Sequence, residues 1–170
     1  MRKLKSLVIA AVLFLGVNSN MTAQTKVAHI NLSELIPLMP EVNAAQDQLK
    51  KLAEGFDKDY KAMTAEYQTK AEKYGKEAPT AGDALNETRS RELQDFGARI
   101  EKFEQTAQAE IQKKQIELNT PILEKARLAI NKVAKAKGFD MVLDSTPGAG
   151  VIMADTGDIF QDVKTELKIK

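Results

Sequence analysis

Between Val42 and Leu118 the chain carries two long apolar stripes separated by a single break. The first places apolar or small residues at Val42, Ala45, Leu49, Leu52, Phe56, Tyr60, Met63, Tyr67, Ala71 and Tyr74. The second runs Leu85, Leu93, Phe96, Ile100, Phe103, Ala107, Ile111 and Leu118, with Arg89 and Lys114 at two stripe positions. Steps of three and four residues put each set on one face of an α-helix. Ala45, Phe56 and Tyr67 stand eleven apart, a repeat that keeps the stripe on an almost straight or slightly right-handed rod. The first helix is predicted from Glu41 to about Tyr74, roughly 50 Å at 1.5 Å per residue. Gly75 to Gly82, with two glycines and Pro79, breaks the pattern, and Asp83 is the expected cap of the second helix.

The two stripes fit one antiparallel pairing. Facing residues of a helical hairpin have position numbers that add to a nearly constant total. Leu49 with Ile111, Phe56 with Phe103, Tyr60 with Ile100, Met63 with Phe96 and Tyr67 with Leu93 all give 159 or 160. So do Leu52 with Ala107, Val42 with Leu118 and Tyr74 with Leu85. Half of that total falls at Pro79-Thr80, inside the break, and a turn is expected there. Gly55 and Gly97 lie beside seam aromatics, where they would allow either close approach or bending.

The flanks read differently. Lys26 to Leu32 alternates as a short strand, with Ala28, Ile30 and Leu32 on one face. Ser33 is the expected cap of a brief helical turn, Glu34 to Leu38, that Pro37 and Pro40 keep short. Pro121 interrupts the second helix, but the pattern continues through Ile122, Ala126, Ala129, Ile130 and Val133, which reads as a kink. Gly138 is a natural end cap. Asp140 to Ser145 and Gly150 to Ala154 read as strands joined by a Pro-Gly turn, and Asp158 caps a final helix carrying Ile159, Val163 and Leu167. Three short strands holding Val27, Ile30, Val142, Leu143, Val151 and Ile152 make a sheet that one chain can barely cover. The fold class is α+β and predominantly α, a small β body with a long hairpin arm. So small a body favours an oligomer.

The first 23 residues have the layout of a secretory signal: Arg2, Lys3 and Lys5, then apolar Leu7 to Val17, then a cut expected after Ala23. Eleven apolar residues are too few to span a bilayer, which takes roughly 20. The expected organisation is a signal peptide at 1–23 and one domain at 24–170, its body formed by 24–40 and 121–170 and its arm by 41–120. Removing the signal leaves 22 basic residues against 24 acidic, a net charge of −2. That balance argues against a nucleic-acid binder, which needs excess Lys and Arg to face phosphates. No stable membrane insertion is expected once the signal is gone. Without cysteine, stability must come from packing or association.

No residue pattern points to catalysis, and no cofactor is expected. The single histidine, His29, has no second histidine or cysteine to complete a metal site. Carboxylates alternate with Lys and Arg as on a solvated helix face. Asp144, Asp155 and Asp158 fit turns and caps better than acid–base work or calcium binding. Leu49, Leu52, Phe56, Tyr60, Met63, Tyr67, Leu93, Phe96, Ile100 and Phe103 are expected to fill the seam. They are also the candidate surface for apolar segments of other proteins, because Met and aromatic side chains adapt to varied partners.

The opening KVAHINL followed by SELIPLMPE, and the later PILEKARLAINKVAKAKGFDMVLD with its step at Gly138, Phe139 and Asp140, resemble the Skp (OmpH-like) periplasmic chaperone family. The resemblance covers residues 26–168. It implies a homotrimer whose strands form a small barrel-like body, with three hairpin arms around a cavity. It further implies an ATP-independent holdase that binds unfolded outer-membrane proteins in the periplasm and prevents their aggregation. The other reading of the residues is a structural or adaptor coiled coil of the envelope with a fixed partner. Well-known relatives are strongly basic, whereas this chain is near neutral and its turn region, from Lys76 to Glu92, has no basic cluster. Electrostatic capture and lipid contact at the arm tips are therefore not implied.

Overall fold

The structure, a computed structural model, describes residues 25–169; the signal-peptide expectation lies outside the described residues. The chain runs β1 (Val27–Ile30), α1 (Leu32–Leu35), a 3-10 turn (Ile36–Leu38), α2 (Pro40–Ala81), α3 (Asp83–Ala136), β2 (Met141–Asp144) and α4 (Phe160–Glu166). Predominantly helical with a small strand pair, it has the α+β class expected.

β1 buries Ala28 and Ile30, the face that its alternation marked. It pairs in parallel with β2, Val27 opposite Met141 through Ile30 opposite Asp144. Parallel neighbours need a crossover connection, and here the crossover is the whole helical hairpin. On its other edge β1 meets the segment Gly157–Ile159: His29 N–H donates to Gly157 O (2.9 Å), and Ile159 N–H donates to His29 O (3.1 Å). This corrects the expected third strand. Val151 to Ala154 form no strand, and Ile152 is fully exposed. The β-branched residues there have the propensity for a strand but find no ladder within the chain. The short segment that does pair is admitted by Gly157, at φ +86°, where an added Cβ would lie 2.8 Å from Val27 O.

Other boundaries also move. Asn31, not Ser33, caps α1: its side chain accepts from Glu34 N–H, and Ser33 Oγ donates to Asn31 Oδ1 (2.8 Å). α2 passes through Gly75 and Pro79 and ends at Ala81, with Gly82 at φ +76° as the break. Pro79 sits in the last turn, where it forfeits a single bond to the Gly75 carbonyl and leaves the helix intact. Asp83 is the first residue of α3, and Gly82 precedes it as the cap. α3 runs unbroken through Pro121. At its end Gly138, at φ +73°, closes a Schellman turn in which Phe139 N–H donates to Ala134 O (2.9 Å). Ile159, not Asp158, is the N-cap of α4, and Asp158 stands one residue before it, accepting from Phe160 N–H at 2.8 Å.

The core is small and sits in the body. Leu35, Ile159 and Val163 are fully buried with Ala28 and Ile30 against the end of α3 at Ala129, Val133 and Ala134. A second cluster, Met39 with Ala45, Ile122 and Ala126, seats the base of the arm on the body.

Candidate functional site

The arm is joined differently along its length. At the base, Lys125 on α3 pairs with Glu41 on α2 and holds that carboxyl below its usual range. Further out, Phe56 and Phe103 meet edge to face at 5.9 Å, and Tyr67 meets Phe96 the same way at 6.0 Å. Such pairs contribute about 0.5–1.5 kcal/mol beyond simple burial. Phe96 is the one aromatic of the seam that is nearly fully buried; Leu49, Leu52, Met63, Leu93 and Ile100 are half-buried, and Tyr60 is 38 % exposed.

The contacts depart in part from the expected register. Because the turn is at Gly82, Tyr67 faces Phe96, which was expected opposite Met63. Leu85, expected opposite Tyr74, is 46 % exposed. Tyr74 instead packs under Arg89, whose guanidinium lies 4.8 Å from the ring centre. The later turn raises the totals of facing residues, to 163 for Tyr67 with Phe96 and 166 for Lys125 with Glu41 at the base, while the rings of Phe56 and Phe103 still meet as expected.

Around Tyr74 the two helices share a polar network that sequence reasoning missed. Lys70 Nζ donates to Glu92 Oε1 (2.5 Å) and Tyr74 OH donates to Glu92 Oε2 (2.6 Å). Arg89 pairs with Glu77, and Asn86 Nδ2 donates to the Ala78 carbonyl (2.9 Å). Lys70 and then Tyr74 hold the Glu92 carboxyl below its usual range, and Glu92 in turn raises both partners. The signal that pointed to this network was Arg89, a charged residue at a stripe position. A cation facing a partner helix requires a carboxylate or a ring opposite it.

In the body, the expected assembly residues divide. Ile30 is core, Val142 and Val151 are half-buried, and Val27, Leu143 and Ile152 are exposed together with Met141 and Met153, which the sequence did not single out. Beside β2 lies an open groove of about 530 Å³ whose apolar wall includes Leu123, Ile130, Phe139, Met141 and Leu143. Among the described residues, β2 is paired on one edge only.

His29 Nδ1 lies 3.2 Å from Ser145 Oγ, while its Nε2 is buried without a partner, so no carboxylate orients the ring as a general base. Burial pushes the Asp144 carboxyl up, but bonds from Thr146 Oγ1, Thr146 N–H and Leu32 N–H outweigh it and hold the group below its usual range. Asp144 thus organises the turn after β2. Among the described residues, no group of three or more His, Asp or Glu could hold a metal ion, and no helix is long and apolar enough to cross a membrane.

Residues 26–167 match the family described as Outer membrane protein (OmpH-like). The chain is 29 % identical over 161 residues to the chaperone protein Skp of Pectobacterium atrosepticum, covering 92 % of this chain and 93 % of the relative. It is 28 % identical over 171 residues to chaperone protein Skp of Yersinia enterocolitica, covering 97 % and 100 %. Among solved structures it is similar in fold to the OmpH-like protein of Caulobacter crescentus, with a TM-score of 0.71 at 16 % identity, over 84 % of this chain and 83 % of that one.

Proposed function

The chain belongs to the OmpH-like family, and on that premise we propose that it is an ATP-independent periplasmic holdase that binds unfolded outer-membrane proteins and prevents their aggregation. The observation that carries the reading is the division of the molecule. α2 and most of α3 project from a body in which, among the described residues, Ile30, Leu35, Met39, Ile159 and Val163 are the large side chains that are fully buried, so the arm outweighs the core it stands on. The curated Skp relatives match over nearly their whole lengths, which supports the same reading.

The body supports a homotrimer. The open edge of β2, the apolar groove beside it and the exposed Ile152 and Met153 are complementary needs that a neighbouring copy meets. A buried interface of this kind also provides the apolar area that so small a core lacks. Clients are then held between arms, with Phe56, Tyr60, Met63, Tyr67 and their seam partners as the candidate contacts. Export through a cleavable signal with the cut after Ala23 completes the proposal.

The test is aggregation of an unrelated unfolded β-barrel protein, with the mature chain added at stoichiometric ratio and no ATP. Suppression that is complete near one trimer per client is expected. Absence of suppression, together with stable capture of one folded partner, would instead identify an envelope adaptor.

A further inference from the structure

We infer that the arm yields in its middle and that its free end is a locked unit. A projecting hairpin ordinarily frays from its turn, because the last residues have the fewest neighbours. Here, apart from the Lys125–Glu41 pair at the base, the side-chain polar contacts that join α2 to α3 among the described residues are gathered where fraying would begin. Glu92 bridges Lys70 and Tyr74, Arg89 joins Glu77 while covering the Tyr74 ring, and Asn86 caps the Ala78 carbonyl near the end of α2. These bonds interlock, since Tyr74 serves both Glu92 and Arg89. Below them the Tyr67–Phe96 pair closes the unit, with the Arg99 guanidinium 4.7 Å from the Phe96 ring centre.

The middle is joined otherwise. Between the Lys125–Glu41 pair at the base and the Tyr67–Phe96 pair the seam is apolar: Phe56 meets Phe103, Ala107 is buried and Leu49, Leu52, Met63 and Ile100 are half-buried, and among the described residues no side-chain hydrogen bond joins the two helices there. Lys114 occupies a seam position but pairs with Glu117 of its own helix, at 3.6 Å. Gly55 lies in this zone on α2, and Gly97 sits at its border on α3, beside Phe96. At neither does an added Cβ meet any atom within 4 Å, so close packing does not require a glycine at either position. Glycine inside a helix adds backbone freedom that alanine would remove. Of the two roles open to them, bending is the one that remains.

The proposal does not depend on the client. Hydrogen–deuterium exchange of the mature protein, read on peptides at neutral pH, tests it directly. Peptides within 66–81 and 85–99 are expected to exchange more slowly than peptides within 46–62 and 101–116. Arg89→Leu combined with Glu92→Gln should raise exchange at the tip to the level of the middle or above. Gly55→Ala, for which there is open space, should slow exchange within 46–62 by about fivefold while leaving the tip unchanged. Exchange that quickens steadily from base to Gly82 in the unmodified protein overturns the proposal, and so does a tip indifferent to loss of its lock. Aggregation assays play no part in these readouts, so failure here leaves the holdase reading standing, and the reverse.

Discussion

At the scale of single residues, two positions bear consequences out of proportion to their size. Gly157 lets a segment without a recognisable strand pattern pair with β1, at a backbone angle that L-residues rarely adopt. Gly157→Ala would bring a methyl within 2.8 Å of the Val27 carbonyl, in addition to the left-handed strain of about 1–2 kcal/mol. Urea unfolding should show a loss of at least about 2 kcal/mol, with the helical signal retained until the body melts. Glu92 acts through charge. Its folded-state carboxyl lies below the ordinary value, so its contribution is complete above about pH 4.3 and is lost as the pH falls through the lowered folded value. Lys70 and Tyr74 are raised, so theirs persists below their ordinary values and is lost in strong alkali. Distances between spin labels flanking Gly82 should therefore be constant from pH 5 to about 9 and broaden in acid. In Glu92→Gln the acid broadening should be replaced by breadth at every pH.

Among elements, the long helices were legible because their stripes obey one period over some twenty turns in all, and no local preference competes with such a pattern. β1, β2 and α4 were legible from alternation and capping. The ends were not. Whether Pro79 stops a helix depends on what the lost hydrogen bond is set against, and the Tyr74–Arg89–Glu92 contacts across the hairpin supply that information only once both helices are placed. The Gly150 to Ala154 strand failed for the converse reason: propensity was present and a partner within the chain was not. The register is the sharpest case, since a stripe slid by one turn still matches. Chemical crosslinking distinguishes the alternatives. With a short bismaleimide, Tyr67→Cys with Phe96→Cys should link within one chain faster than Met63→Cys with Phe96→Cys. The opposite order would restore the turn at Pro79-Thr80.

For the whole molecule, the exposed apolar residues of the body are the part least at ease in water, and they set the expected assembly. Ile152 is fully exposed, and Leu143 on the open strand is 41 % exposed. Burying an isoleucine contributes about 1.5–3 kcal/mol. A closed trimer would bury Ile152 three times, so its loss amounts to about 4–9 kcal/mol, or roughly three to six decades in the trimer association constant. Ile152→Lys adds the repulsion of three like charges meeting in one interface. Neither Ile152 nor Leu143 holds the monomer's core, so Ile152→Lys should leave the far-ultraviolet helical signal unchanged. Sedimentation at micromolar concentration should show the unmodified mature chain as a trimer and Ile152→Lys as a monomer. A folded monomer in both would remove the assembly from the proposal and return the groove beside β2 to solvent. A trimer in both would place the interface away from this segment. If the arms act as a cage, the monomeric variant must also lose suppression of aggregation, because one arm with an intact seam encloses nothing.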